Sequence, residues 1–363
     1  MGQIPLTHVM YRGSRDVMKY TFLFVCCACL VFCESYADNK NHKLVVITQQ
    51  ENSYYPPPVN GYPSAVFEIN PSNGSIRLAW NGTLDYGANI CAFATPATDN
   101  HLLYVLKDSG TLLTIDMKTG QTLRTQAVSS ADPPRWFNSL DYDSASKSLY
   151  AICNASYGWP MGRQWCRISL NASKTKAPLQ YIHTLPGWGY SINEADDCVF
   201  NAAFSAGLFW YMTQDHIVRG LNIDNATLDR IGFANPQSLN FDIAHNKLFD
   251  LKKLDDVFQP LIVSQVKLVT PNTTTPPDPP EETVTELPKN LTLVSIGMSA
   301  IDNEGSTIFA LMTDKPNQWN RPIIPDSLVS VDMSTKKTTV YKLDFSPYRF
   351  LDSQWRFSRL FFT

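Results

Sequence analysis

Short runs of alternating apolar and polar residues recur along the chain, each running into a turn. VFEINPSNG (66–74), LLTIDMKTG (112–120), CRISLNAS (166–173), RGLNIDNA (219–226), VSQVKLVT (263–270) and LVSVDMSTK (328–336) share this plan. Alternation with many β-branched residues predicts strands. Asn or Asp followed shortly by Asn-Gly or Thr-Gly predicts a hairpin turn, because glycine accepts a positive φ. The turns begin at Asn70, Asp116, Ser169, Asn222, Lys267 and Asp332, in steps of 45 to 65 residues.

A second β-type run precedes each turn: KLVVIT (43–48), LLYVLK (102–107), SLYAIC (148–153), LFWYMT (208–213), KLFDLK (247–252) and TIFALM (307–312). A third lies further upstream, as in FNSLDYD (137–143) and QSLNFDI (237–243). A fourth follows the turn, as in IRLAW (76–80) and TTVYKL (338–343). Four short strands per unit, repeated without a helical pattern, predict an all-β chain folded as a single β-propeller. The first unit lacks its innermost strand, and WRFSRLFF (355–362) is left over at the C-terminus. If that tail fills the gap, six blades close into a ring and no sheet edge is left open. The propeller domain is expected over 38–363. Residues 271–282, rich in Pro and Thr, are expected as an exposed, mobile loop within it, because proline removes a ladder donor.

In period and turn pattern, residues 38–363 resemble secreted, quinoprotein-like and lactonase-type propellers. The Gly-His and Trp-Asp pairs of WD repeats are missing, as is a Tyr-Trp-Thr-Asp strand of the receptor-type propellers. The resemblance is specific to no one family, so it implies a fold rather than an activity.

The N-terminus sets the compartment. Arg12, Arg15 and Lys19 precede TFLFVCCACLVFC (21–33), and Ser35-Tyr36-Ala37 follows with small residues placed for cleavage after Ala37. This is the layout of a signal peptide over 1–37. The apolar run is shorter than the about 20 residues of a membrane span, and no later stretch approaches one. The chain is expected to be secreted. Its net charge of −3 argues against a nucleic-acid surface, which needs clustered positive charge. Four cysteines follow the signal: Cys91, Cys153, Cys166 and Cys198. In an oxidising compartment they predict two disulfides. The repeat places Cys153 at the end of one strand and Cys166 at the start of its hairpin neighbour, which pairs them and leaves Cys91 with Cys198. Glycosylation signals occur at Asn73, Asn81, Asn154, Asn171, Asn225, Asn272 and Asn290.

Candidate chemistry is sparse. The chain has no nucleophile elbow, phosphate loop, dinucleotide fingerprint or H-E-x-x-H motif. Polar residues of the inner strands form one candidate group. Carboxylate and amide oxygens converging on an axis suit a hard cation such as Ca²⁺. Calcium-dependent lactonase and esterase propellers use an arrangement of this kind, and the likeness implies Asn89, Asn138, Asn201 and Asp242 as ligands. No inner-strand Glu and no general base has a counterpart here. The competing expectation is that these amides cap strands and bond neighbouring blades. The second group lies between Cys153 and Cys166, where Tyr157, Trp159, Arg163 and Trp165 would form either a packed lid or an exposed patch for extracellular proteins or glycans. The favoured function is a secreted, glycosylated binding or scaffolding module of the extracellular matrix. The alternative is a calcium-dependent hydrolase or lactonase with its site at the channel mouth.

Overall fold

A computed structural model of the chain describes residues 43–50, 62–84, 93–94, 101–107, 110–129, 137–143, 146–154, 163–170, 173–184, 203–205, 207–213, 217–225, 227–233, 238–242, 244–245, 247–253, 260–273, 275, 277, 279–294, 298–302, 304, 306–315, 324–351 and 355–362. All of these fall in one unit, Lys43–Thr363. The proposed signal segment lies outside the described residues. Among the described residues there are strands and turns but no helix, and none is long and apolar enough to cross a membrane as a helix.

The strands group into four-stranded antiparallel meanders, each running from an inner to an outer strand. The first is Trp355–Phe362, Leu44–Gln50, Tyr62–Ile69 and Ile76–Leu84. The second is Phe93–Ala94, Leu102–Leu106, Thr111–Asp116 and Gln121–Ser129. The third is Phe137–Asp143, Ser148–Asn154, Arg163–Ser169 and Lys176–Thr184. The fourth is Ala203–Ser205, Leu208–Thr213, Ile217–Asn222 and Leu228–Phe233. The fifth is Ser238–Asp242, Lys247–Lys253, Leu261–Val266 and Glu281–Glu286. The sixth is Ser299–Ile301, Thr307–Thr313, Ser327–Asp332 and Thr338–Lys342. The C-terminal strand pairs antiparallel with Leu44–Gln50, from Leu44 opposite Phe362 to Gln50 opposite Trp355. It therefore supplies the inner strand missing from the first meander, and the fold is a β-propeller closed by its two chain ends.

Alternating residues send apolar side chains to both faces of each sheet, so the core lies in the seams between neighbours. Val45, Ile47 and Val66 meet Leu103, Val105 and Ile115 between the first and second sheets. Leu106 and Leu112 meet Leu149 and Ile168 in the next seam. Phe249, Leu251 and Val263 meet Ile308, Ala310 and Val329 between the fifth and sixth. The sixth sheet returns to the first through Leu44, Val46, Phe67, Phe309 and Leu328. Aromatics of the closing segment reinforce that last seam. Phe345 and Tyr348 pack edge-on against Phe67 with ring centres 5.3 and 4.9 Å away, and the Tyr348 hydroxyl donates to the Ile76 carbonyl at 3.1 Å.

Two seams are also joined by hydrogen bonds at the outer rim. Lys176–Pro178 pairs in parallel with Ala127–Ser129, and the buried Gln126 amide donates to the Ser173 carbonyl at 2.8 Å. Leu268 and Val269 pair with Gly232 and Ile231 of the fourth sheet. This pairing lies just before the expected loop, at the end of the run 263–270. The fourth strand of the fifth sheet also begins at Glu281, so residues 281 and 282 belong to a strand and not to the 271–282 loop. Chain reversal after Val266 lets the connection reach its neighbour before the prolines begin.

The hairpin turns follow the residues that predicted them. The side-chain oxygens of Asn70, Asp116, Asn222 and Asp332 each accept the amide two residues on, at 2.8–2.9 Å. Four residues after the turn opens, the chain adopts a left-handed conformation at Gly74 (φ 74), Gly120 (φ 70) and Lys336 (φ 60). Bonds from Ser334 and Thr335 to Asp332 stabilise its charged form and hold its carboxyl down at about 2.

Three expected outcomes follow from this framework. Thermal melts should show Lys336→Gly raising the melting temperature, because a lysine pays a steric penalty at positive φ that glycine avoids. Asp332→Ala should lower it. That contribution should be present above about pH 4, the ordinary carboxylate value, and be lost as pH falls through about 2. In the fourth sheet, a Cβ at Gly220 would come within 2.9 Å of the fully buried Trp210 ring, so Gly220→Ala should cost about 1–3 kcal/mol in denaturant unfolding.

Candidate functional site

The Cys153–Cys166 hairpin is the most distinctive local feature of the sequence. Its strands, Ser148–Asn154 and Arg163–Ser169, are set in register by apolar residues that must face the seams. Gln164 stands opposite Cys153, and Cys166 opposite Ala151. The two cysteines are thus diagonal neighbours on one face, with Cα atoms 6.3 Å apart, and a disulfide joins them. This separation lies within the range of about 4.4–6.8 Å that the bond needs.

The ladder runs further than the sequence suggests. Cys166 is the fourth residue of its strand, so Arg163 and Trp165 belong to that strand and not to the loop. Both cysteines are buried in the seam with the second sheet, beside Tyr104, Leu106 and Leu112. The staple therefore sits in the core and not on a surface excursion. Trp165 corrects the expectation of an exposed patch. It is fully buried and stacks on Tyr150 with ring centres 5.2 Å apart. Period-two alternation turns it toward the sheet's other face, where it fills a seam. Tyr157 and Trp159 lie outside the described residues, as do Cys91 and Cys198. Of Arg163 and Asn154, the backbone alone is described.

The inner strands bear on the candidate calcium ligands. Asn89 and Asn201 lie outside the described residues. Asn138 is placed by its backbone, second in Phe137–Asp143. Asp242 is last in Ser238–Asp242. Its counterpart in the third sheet is Asp143, since each caps the turn after its strand: Asp143 accepts the Ser146 amide and Asp242 the His245 amide, at 2.9 and 3.0 Å. A strand rises about 3.3 Å per residue, so strand-start and strand-end groups stand roughly 16 Å apart along the channel. One ion cannot bridge that span, so Asn138 and Asp242 could not both hold the same one. The Asp242 carboxylate is also already engaged, 2.7 Å from His245 Nδ1.

Nearby, the Asn240 amide donates to the Ser299 hydroxyl at 2.8 Å, joining the inner strands of the fifth and sixth sheets. This is the inter-blade bonding expected as the competing role for inner-strand amides. The Asp242–His245 pair and the Asn240–Ser299 bond were not singled out from sequence. The spacing D-x-x-H carried the first of them. Nothing local carries the second, whose partners are 59 residues apart. Among the described residues, no group of three or more His, Cys, Asp or Glu is placed to hold a metal ion.

A depression of about 260 Å³ lies beside the closing segment, lined by Lys315, Asp326, Phe345, Tyr348 and Arg349 among others. Two of its polar groups, Asp326 and Tyr348, are committed to the fold. The Asp326 carboxylate accepts from Ser327 and Thr313 at 2.8 and 3.0 Å.

The glycosylation signals fall in a pattern. Asn73, Asn81, Asn225, Asn272 and Asn290 are exposed, and Asn171 lies outside the described residues. Asn73 and Asn225 sit in third-to-fourth-strand turns, and Asn272 follows the third strand of the fifth sheet. Antiparallel alternation puts all such connections at one end of the ring. At Asn225 the side-chain oxygen accepts both the amide and the hydroxyl of Thr227, at 3.0 and 2.6 Å.

No family model matches this sequence, and no curated protein does. Solved structures with a related backbone course include a candidate 6-phosphogluconolactonase from Bacteroides fragilis, at 10% identity and TM-score 0.44, over 90% of this chain and 99% of that one. The Myceliophteria thermophila Cps50 (Swd1) beta-propeller domain is 11% identical with TM-score 0.41, over 77% and 82%. An oligogalacturonate lyase from Vibrio parahaemolyticus is 12% identical with TM-score 0.43, over 84% and 83%. The propeller assignment rests on the strand pairings of this chain, and these likenesses bring no activity to it.

Three measurements check the hairpin. Mass mapping of unreduced protein should return a peptide linking Cys153 to Cys166, and Cys166→Ser should lower stability by about 3 kcal/mol on the loop-entropy model. Trp165→Ala should cost about 3–5 kcal/mol, as for a core aromatic, where a surface residue would cost little.

Proposed function

We propose that the chain is a secreted, N-glycosylated propeller of six blades that binds or scaffolds extracellular proteins or glycans, as a component of the extracellular matrix. The observation that carries this reading is the placement of Asn73, Asn225 and Asn272, all exposed and all at the same end of the ring. A glycan at each would cover that end, while the signals at Asn154, closing a second strand, and Asn290, after a fourth, fall at the other end. The signal-peptide layout of residues 1–37 and a buried disulfide agree with an oxidising compartment. Six successive meanders of inner-to-outer strands support the blade number.

Expression through a secretory pathway followed by glycopeptide mapping should find glycans at Asn73, Asn225 and Asn272, each lost in the matching Asn→Gln variant. Protein retained inside cells without glycans would overturn the reading. Retention on an array of matrix proteins and glycans should persist after enzymatic removal of the glycans. Tight Ca²⁺ binding with a rise in melting temperature, together with ester or lactone hydrolysis, would instead favour a calcium-dependent hydrolase.

A further inference from the structure

Two buried acids in different seams of the propeller, Glu68 and Asp250, are treated differently. Glu68 faces the second sheet and is held between two cations, with Lys43 Nζ at 2.9 Å and an Arg77 guanidinium nitrogen at 2.6 Å. Asp250 faces the fourth sheet. It is fully buried, and neither carboxyl oxygen has a hydrogen-bond partner. Ser264, opposite it in register, is equally buried with an unpartnered hydroxyl.

We propose that the seam between the fourth and fifth sheets is a pH-gated joint, closed while Asp250 is protonated and loosened when it ionises. The surroundings give an ionised Asp250 little help. On its own strand, Lys252 is the one cation on the same face, and it is shared with Glu281 of the outer strand through an ion pair. On the neighbouring strands, Ser264 and, in register on the inner strand, Leu239 stand opposite and carry no charge. Beyond Ser264 in the same row is Thr283. The fourth sheet presents Trp210 and Val218, which pack with Leu248 and Val266. Its one charged group on that side among the described residues, Arg230, is exposed and lies 3.5 Å from Asp229. Two carboxylates thus compete for a single lysine against an apolar wall. Burial is the first cause that raises the Asp250 carboxyl, to about 7, and Lys252 offsets it only in part. Ionisation releases the proton to solvent and leaves a charge aided only by its own backbone amide and a shared lysine, which is costly in an apolar seam.

The seam also has a part that can open. At the rim it is held by the short pairing of Leu268 and Val269 with Gly232 and Ile231. The approach is close: a Cβ at Gly232 would meet Val266 at 2.7 Å. A joint with a two-residue clip is the place where added strain would show first. The device is independent of which partner the propeller binds.

The sign of the effect is fixed. The folded chain holds this proton above the pH at which an unfolded Asp loses it, so stability is greatest below about pH 4 and is lost as pH rises through about 7. For wild type, the melting temperature should fall by roughly 5–10 °C between about pH 5 and about pH 8. Over the same range, amide exchange at Ile231, Gly232, Leu268 and Val269, corrected for intrinsic chemistry, should rise about tenfold or more. The parallel pairing of Ala127–Ser129 with Lys176–Pro178 serves as the internal reference and should not change. Asp250→Asn should flatten both profiles and melt higher than wild type at about pH 8, whereas Glu68→Gln should leave the slope in place. A wild-type profile without slope, or a slope that survives Asp250→Asn, overturns the proposal. If Asp250→Asn does not fold, the wild-type exchange contrast between the clip and the reference pairing decides it alone.

Discussion

Everything in this fold depends on one antiparallel ladder, between the last strand of the chain and the first. Leu44–Gln50 has Tyr62–Ile69 on one side and would have an open edge on the other without Trp355–Phe362. Closure by this pairing is long-range, since its partners are separated by nearly the whole chain. The entropy of bringing them together rises only slowly with loop length, and the gain includes every contact between the sixth and first sheets. Phe345, Tyr348 and Phe357 gather in that seam, with Phe345 and Phe357 rings 5.2 Å apart. The tail is therefore fastened by hydrogen bonds at its backbone and by aromatic packing on its approach.

With the ring closed, each sheet is covered on both faces, and its seams decide which polar groups can be kept inside. Gln126 and Asn240 are buried amides that join neighbouring sheets through bonds to Leu170, Ser173 and Ser299. Glu68 is balanced by two cations. Each of these groups has at least one partner, as buried polar groups need. Asp250 departs from that rule, which is why its seam is set apart.

The same covering explains what became of the stapled hairpin. A reader of the sequence sees two cysteines around Tyr, Trp, Arg and a glycosylation signal. The strands extend past the loop into that segment, because Arg163–Ser169 must pair with Ser148–Asn154 to bury Ile168 against Leu149. Once Trp165 lies in a strand whose faces are both covered, it becomes core. The disulfide acts on the unfolded chain by closing a short loop, and in the folded chain it fills space between two sheets.

Repeat, turn and strand were legible in the sequence because each is local. Alternation specifies a strand, and an Asn or Asp before Gly specifies its turn, as at Asn70 with Gly74 and Asp116 with Gly120. The leftover WRFSRLFF marked the closing strand because one inner strand was missing. The site was less legible. Asp242 looked like a channel ligand, but which end of the channel a residue occupies depends on strand direction, and its partner His245 closes a turn there. Trp165 looked like a loop aromatic, but ladder length depends on the neighbour's register. The pairing of Leu268 and Val269 with the fourth sheet, the Asn240–Ser299 bond and the isolation of Asp250 join segments tens of residues apart. Local pattern thus determined the strands, their turns and their order, since those energies act over a few residues. Tertiary structure alone decided which polar groups share a seam, since burial and pairing there are set by sheets that meet only when the ring closes.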